Sequence, residues 1–229
     1  MLNINRIKPE HLDRPIVWLD YESRMHDEEP ALGSLVVGGG PVDSKDELET
    51  IVFDERFAGA ARQKELRLLP FVEHARELVE RVRALDGWIA GYSQAELNEL
   101  KKALPGEAEW LEGVYINANA SSWFSRCRPG IQAKLEEGCD GEDKFDRVGL
   151  KDYLQHKDLR YGYPKRLVGF SPAGALQQVR EQLSKHDGNY AAITPKTKAR
   201  WVKLLEYNRT DVHGMRFLFH YMLRADGKI

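Results

Sequence analysis

The sequence predicts an α/β fold in which a mixed sheet of five strands is flanked by helices. Short β-rich apolar segments alternate with longer segments of helical periodicity, and their order is β-β-β-α-β-α-β-α. The chain has 229 residues, of which 42% are hydrophobic and 31% charged, enough for one well-buried core. We therefore expect a single domain over residues 1–229.

The first three strands are predicted in the N-terminal part of the chain. Residues 16–23 (IVWLDYES) follow Pro15, begin as an apolar β-rich run and end in acidic residues, which is typical of a buried central strand. Residues 32–40 and 49–55 are also β-rich and are separated by a turn region of Gly, Pro and Asp. This pattern predicts a meander of two more strands.

Helical spacing of apolar residues is clearest in residues 64–85 and in residues 196–224, a long C-terminal helix. The other predicted elements are a strand at 87–93, a helix at 95–104, a strand at 114–122, loops with short helices at 123–148, a helix at 149–156 and a basic, aromatic loop at 157–172.

Two features of the composition exclude common classes of protein. The N-terminus lacks the apolar run of a signal peptide, and no segment has the roughly 20 apolar residues needed to span a bilayer. We therefore expect a cytoplasmic protein that does not enter a membrane. Cys127 and Cys139 lack the spacing of a zinc site, so neither a structural zinc nor a disulfide framework is indicated.

Charge is distributed unevenly along the chain, although the net charge is only -2. Residues 1–60 carry six basic and thirteen acidic side chains, a balance of -7, whereas residues 151–229 carry fifteen basic and seven acidic ones, a balance of +8. An acidic pocket beside a basic surface is what a metal-dependent enzyme acting on a polyanion requires. Solvated charged faces are the alternative interpretation.

Asp20 and Glu22 are the first candidate site residues. Side chains two apart on a strand point to the same face, so these carboxylates lie side by side at the end of the predicted first strand. Adjacent negative charges are costly without a cation, and hard oxygen ligands suit Mg²⁺ or Mn²⁺. Asp-x-Glu is also a common tripeptide without any catalytic role.

Tyr207 and Asp211 form the second candidate pair. They are four residues apart on the predicted C-terminal helix and share a face, which apolar neighbours direct toward the sheet. A carboxylate near the sheet requires a partner or a metal. The alternative is an ordinary ion pair between Asp211 and an Arg or Lys.

Together these motifs resemble the DEDD-type 3′-5′ exonucleases of the RNase H-like superfamily. Asp20 and Glu22 match the first motif, D-x-E, and Tyr207 and Asp211 match the tyrosine variant of the third motif, Y-x-x-x-D. The second motif is normally an Asp after the fourth strand, often preceded by His-Asn. This chain departs from it and reads IAGYSQAELNELKKAL.

The departure is similar to one branch of the superfamily, the predicted nuclease domains often fused to RecB-like nuclease or helicase modules. In that branch a strand leads to a His-Tyr or Tyr dipeptide and then to a Glu. Tyr92 and Glu96 would fill those places in this chain. The segment VGLKDYL (148–154) looks like the Leu-Lys element that precedes the final helix. The resemblance covers residues 16–224.

The resemblance implies a site for two divalent metal ions, Mg or Mn, about 4 Å apart. Asp20 would bridge both ions, and Glu22, Glu96 and Asp211 would complete the ligands, with Glu99 as the alternative to Glu96. Tyr207 would orient the attacking water. The implied activity is 3′-5′ exonuclease cleavage of single-stranded DNA or RNA, and a helicase or another nuclease subunit would act in trans. An endonuclease or resolvase of the same fold, and a non-catalytic module that binds nucleic acid or protein, remain alternatives.

Basic and aromatic residues in the C-terminal part are candidates for substrate binding. Lys196, Lys198 and Arg200 begin the predicted last helix and are suited to phosphate contacts. Lys165 and Arg166 follow Tyr161 in the loop, a composition suited to phosphate contact and base stacking on a single strand. The alternative is a solvated loop whose aromatic residues anchor it in the core.

Overall fold

A six-stranded mixed sheet lies at the centre of the molecule. The computed structural model describes residues 8–25, 28–38, 48–119, 129–130, 133, 148–155 and 159–225. The strands are β1 (Ile16–Glu22), β2 (Leu32–Val37), β3 (Leu48–Val52), β4 (Arg67–Leu68), β5 (Trp88–Gly91) and β6 (Tyr115–Asn117). Their order across the sheet is β4-β3-β2-β1-β5-β6. β1 therefore occupies an interior position, antiparallel to β2 and parallel to β5.

Helices flank this sheet. They are α1 (Ala58–Gln63), α2 (Phe71–Ala84), α3 (Ala95–Ala103), α4 (Ala108–Val114), α5 (Leu150–Leu154), α6 (Pro172–Lys185) and α7 (Pro195–Ala225). Short 3-10 turns lie at Pro9–Asp13, Glu55–Phe57, Pro105–Glu107, Lys165–Leu167 and Tyr190–Ala192. None of the helices within the described ranges combines the length and the apolar character needed to cross a bilayer.

The two faces of β1 belong to two different parts of the core. Ile16 and Trp18 pack in the cluster that contains the C-terminal half of α7, and the Trp18 ring meets Phe219 edge-on at 5.0 Å. Val17 and Leu19 point the other way and pack with α2 and α3. Since side chains alternate along a strand, the even-numbered side chains of β1 face α7.

The α/β class and the mixed sheet flanked by helices are confirmed, but the sheet has six strands rather than five. The additional strand, β4, lies inside the segment predicted as the start of helix 64–85. This helix begins only at Phe71, because Pro70 disfavours helical backbone at Leu69. Leu69 instead extends the edge pairing by donating from its amide to the carbonyl of Val52 at 3.0 Å.

Several predicted boundaries agree with the structure within a few residues, among them those of β1, β3, β5, α3 and α7. The predicted helix 149–156 is confirmed as the shorter α5. Of the strand predicted at 114–122, the structure has Tyr115–Asn117 as β6; Val114 ends α4, Ala118 and Asn119 form a turn, and residues 120–122 lie outside the described residues. The same holds for residues 39–40, for Cys127 and Cys139, and for nearly all of the predicted loops at 123–148.

Helix α6 was not predicted from the sequence. Its start carries two ordinary signals: the Ser171 side chain accepts from the amide of Gly174, and Pro172 occupies the first helical position. Its buried face comprises Ala175, Leu176, Val179 and Leu183. This face packs against the first half of α7, so α6 supports the helix that carries the candidate site residues.

Candidate metal centre

Three carboxylates from the two ends of the chain meet where β1 ends. One oxygen from each of Asp20, Glu22 and Asp211 lies within 4.8 Å of the others. Asp20 and Glu22 are two apart on the strand face that α7 covers, and Asp211 is on α7 itself. Strand β1 and helix α7 therefore bring three carboxyl side chains together.

The surroundings of these acids favour their neutral forms when no cation is bound. Burial raises the pKa of Asp20 well above its usual value, and the charges of Glu22, Asp211 and Glu96 raise it further. Burial followed by the charges of Asp211 and Glu96 does the same to the pKa of Glu22. The pKa of Asp211 is raised by burial to about 7, although a hydrogen bond from Tyr207 opposes the shift. A bound cation would offset this repulsion.

The residues fit a divalent metal ion. Asp211 is buried, and its Oδ1 has no hydrogen-bond partner among the described residues. A buried acceptor of this kind costs free energy unless it is paired or coordinates a metal. All three side chains offer hard oxygen ligands, which Mg²⁺ and Mn²⁺ prefer over the nitrogen and sulfur ligands of zinc.

Glu96, on the first turn of α3, lies near Asp20 and Glu22 but is not one of the three carboxylates that meet within 4.8 Å. Its carboxylate accepts from the backbone amide of Ser93 at 3.2 Å, the Ser93 hydroxyl at 3.1 Å and the Tyr115 hydroxyl at 3.3 Å. Glu96 is buried, and its charge acts on Asp20 and Glu22. Glu99, the alternative ligand, accepts instead from Lys102 at 2.6 Å on an exposed side of α3.

Gly91 allows Glu96 and Tyr115 to lie this close to the end of β5. A Cβ atom at Gly91 would lie 2.0 Å from the Tyr115 hydroxyl oxygen and 3.2 Å from the Cβ atom of Glu96. Any side chain at this position would therefore displace both residues.

Tyr207 lies one turn before Asp211 on α7, and its hydroxyl is close enough to that carboxylate to lower the pKa of Asp211. Burial and the neighbouring acids raise the pKa of Tyr207. The hydroxyl therefore stays protonated at neutral pH and remains a donor.

Two residues near the acids were not among the predicted site residues. Asn208 is fully buried, and its side-chain amide donates to the Asp20 carboxylate at 2.5 Å and to the Asp20 backbone carbonyl at 3.1 Å. Lys151 on α5 lies close enough for its charge to lower the pKa of Glu22 and of Asp211. Lys151 belongs to the VGLKDYL segment, but Asn208 carries no sequence signal for its contact with a strand 188 residues away.

The aromatic loop lies beside the acids, with its tyrosines turned inward. Tyr161 is half-buried, donates to the Thr210 carbonyl at 3.3 Å and packs against the Phe217 ring at 5.0 Å. Lys165 is exposed, and Arg166 forms an ion pair with Glu206. The loop thus combines anchored aromatic rings with charged side chains at the surface.

The three basic residues predicted at the start of α7 are not part of the acidic cluster. Lys196 and Arg200 lie on one side of α7, whereas Lys198 lies on another, where it donates to the Ala191 carbonyl at 2.7 Å. Lys196 is about 22 Å from Asp211 along the helix axis, given the rise per residue. These residues lie at the start of the helix, whereas Asp211 lies near its middle.

The chain matches no protein-family model, and no curated protein or solved structure is significantly similar to it. The site is therefore interpreted from its own geometry, above all from the meeting of Asp20, Glu22 and Asp211.

Proposed function

We propose that the chain is a metal-dependent nuclease of the RNase H-like superfamily that removes nucleotides from single-stranded DNA or RNA in the 3′-5′ direction. The observation that carries the proposal is the meeting of Asp20, Glu22 and Asp211 within 4.8 Å. These residues are distant in sequence but together supply one set of hard oxygen ligands. The set matches the first and third motifs of DEDD-type exonucleases.

The arrangement of the sheet supports the RNase H-like assignment. Three consecutive antiparallel strands, β1 to β3, are followed by helices that alternate with the parallel strands β5 and β6, and a long helix ends the chain. Apart from the short α1 and β4, a second helix after β5 (α4) and the helices α5 and α6 before the last one, this is the element order expected of that superfamily. The acids lie at the end of the interior strand β1, as its first motif requires.

Each acid has a role in the proposed site. Asp20, Glu22 and Asp211 would hold the metal ions, and the buried Glu96 would complete the ligands on the β5 side. When bound, two divalent cations supply activation of a water molecule and stabilisation of the leaving oxygen. The protonated Tyr207 hydroxyl, already beside Asp211, would position the attacking water by a hydrogen bond.

Cleavage of labelled oligonucleotides tests the proposal. A single-stranded oligonucleotide labelled at its 5′ end should shorten stepwise when the purified chain is supplied with Mn²⁺ or Mg²⁺. Asp20→Asn and Asp211→Asn should each abolish the shortening, whereas Glu99→Gln should not, because Glu99 is paired with Lys102 at the surface.

Two further substrates distinguish the alternatives. A circular single strand has no end, so its cleavage would indicate an endonuclease of the same fold. A protein that binds the oligonucleotide and cuts neither substrate would be a non-catalytic module. Shortening that survives both Asp20→Asn and Asp211→Asn would contradict the proposed site.

A further inference from the structure

A line of positive charge runs along α7 toward the candidate metal centre. Lys196, Arg200 and Lys203 follow each other at intervals of four and three residues, and the same spacing continues to Tyr207 and Asp211. Residues three and four apart lie on one side of a helix. We call Lys196, Arg200 and Lys203 the cation stripe; it leads along one side of α7 to the acids.

Ion pairing within the protein does not explain the cation stripe. Within the described part of the chain, none of its three side chains forms an ion pair, in contrast to the nearby Arg166, which pairs with Glu206. Like charges one turn apart destabilise a helix. Lys196 is exposed and the other two are half-exposed, so all three are available to an anionic ligand.

An aromatic side chain lies between the last cation of the stripe and the site. The Nζ atom of Lys203 lies 5.0 Å from the centre of the Phe170 ring, and that ring packs against Tyr207 at 5.6 Å. Phe170 is only partly buried. Phosphate-binding cations next to an aromatic ring are the combination that single-stranded nucleic acid requires, because its bases are free to stack.

We propose that the cation stripe and Phe170 form the path along which a single strand of nucleic acid reaches the acids. The phosphates contact Lys196, Arg200 and Lys203, and one base stacks on Phe170 as the strand passes Tyr207. The path rests on the proposed function only for its end point, the scissile bond at the carboxylates. Lys198 lies outside it, on another side of α7.

Binding without cleavage tests the path. Fluorescence anisotropy in EDTA measures binding of labelled 15-nucleotide oligo(dT) and oligo(U) in separate titrations. Two triple variants that lose the same charge are compared. The stripe variant is Lys196→Gln, Arg200→Gln, Lys203→Gln. The control variant, Lys64→Gln, Arg76→Gln, Lys185→Gln, also removes two lysines and one arginine, all from exposed positions elsewhere.

The stripe variant should bind at least tenfold more weakly at low salt, and the slope of log K against log[salt] should fall by about 2, since three phosphate contacts are lost. The control variant should retain both values. Equal losses in the two triple variants, or no loss in the stripe variant, would overturn the path. Weaker binding of only oligo(dT) or only oligo(U) supports it and identifies which of the two nucleic acids the path binds.

Phe170 is tested separately. Phe170→Leu keeps an apolar contact with Tyr207 and should weaken binding about tenfold, whereas Phe170→Tyr keeps the ring and should bind normally. An abasic oligonucleotide should not distinguish the two variants. Equal effects of Phe170→Leu on the abasic and the ordinary strand would overturn the stacking role.

Failure of the path and failure of the proposed function give different results. Wild-type cleavage rates in the stripe variant would overturn the path and leave the nuclease assignment intact. Binding that depends on the stripe in a chain that cuts no substrate would support the path and contradict the nuclease assignment.

Discussion

The side chain of Asn208 on α7 donates to both the carboxylate and the backbone carbonyl of Asp20 on β1. This pair of hydrogen bonds fixes the strand and the helix at the point where their acids meet. Because Asn208 is fully buried, no water molecule takes over these two hydrogen bonds when the side chain is removed. Asn208 is thus a positioning residue for Asp20.

Asn208→Ala should weaken Mn²⁺ binding by about 10- to 100-fold, the usual effect of removing a residue that orients a metal ligand. The unfolding free energy should fall by about 1–3 kcal/mol, because the substitution breaks two buried hydrogen bonds. Calorimetric titration and urea unfolding measure the two effects. The exposed Asn98→Ala is the control and should change neither, and unchanged Mn²⁺ affinity in Asn208→Ala would contradict the positioning role.

Glu96 and Glu99 should differ sharply when substituted. Glu96→Gln removes a buried charge beside Asp20 and Glu22, so cleavage should fall by about 10- to 100-fold. Glu99→Gln removes only a surface pair with Lys102, whose contribution is small. Initial rates at saturating Mn²⁺ provide the comparison, and equal rates for both variants would remove Glu96 from the ligands.

Stability without metal should decrease as pH rises. The folded pKa of Asp211 is about 7 against an ordinary value of 3.8, so between these values the folded chain holds a proton that the unfolded chain releases. This proton on Asp211 contributes its full stabilisation below about pH 4, the unfolded pKa, and the contribution is lost as the pH rises through 7, the folded pKa. The loss is on the order of a few kcal/mol. The pKa values of Asp20 and Glu22 are also raised, so these two residues add to the loss of stability.

Urea unfolding in EDTA at pH 5 and pH 8 measures this dependence. Asp211→Asn should flatten it and should be more stable than the wild type at pH 8, whereas the exposed Glu80→Gln should follow the wild type. Adding Mn²⁺ at pH 8 should restore the stability of the wild-type chain, because the metal binds the ionised carboxylates of the folded state. Wild-type stability that rises from pH 5 to pH 8 in EDTA would refute the crowding of the acids.

Gly91→Ala should destabilise the chain by about 1–3 kcal/mol, because the added methyl group overlaps the Tyr115 hydroxyl. It should also reduce cleavage, since Glu96 moves with Tyr115. Gly113→Ala is the matched control: a Cβ atom there meets nothing within 4 Å, and Ala in a helix is neutral or stabilising by up to about 1 kcal/mol. Similar thermal midpoints for the two variants would contradict this packing.

The sequence contained the signals for the elements that carry the acids. The apolar run before Asp20 and the helical spacing around Asp211 are local patterns, and the structure confirms both elements. The spacing of Asp20 and Glu22 fixed their common face, because side chains alternate on any strand. Local pattern was therefore sufficient for these two parts of the candidate site.

Other features depended on contacts that a local pattern does not contain. Asn208 meets Asp20 across 188 residues, and Glu96 accepts a hydrogen bond from Tyr115 on the neighbouring strand. Composition groups Lys198 with Lys196 and Arg200, although residues two apart on a helix point in different directions. Helix α6 begins at the local signals Ser171 and Pro172, at the end of the segment that the sequence predicts as a loop.

The position of bound Mn²⁺ is the most direct test of the proposed metal centre. Anomalous scattering from crystals of the full chain soaked in Mn²⁺ should show the metal between Asp20, Glu22 and Asp211, with Glu96 beside it, and the signal should disappear in Asp20→Asn. Crystals in which Mn²⁺ binds only elsewhere, or in which these three acids stay without metal at millimolar Mn²⁺, would contradict the account.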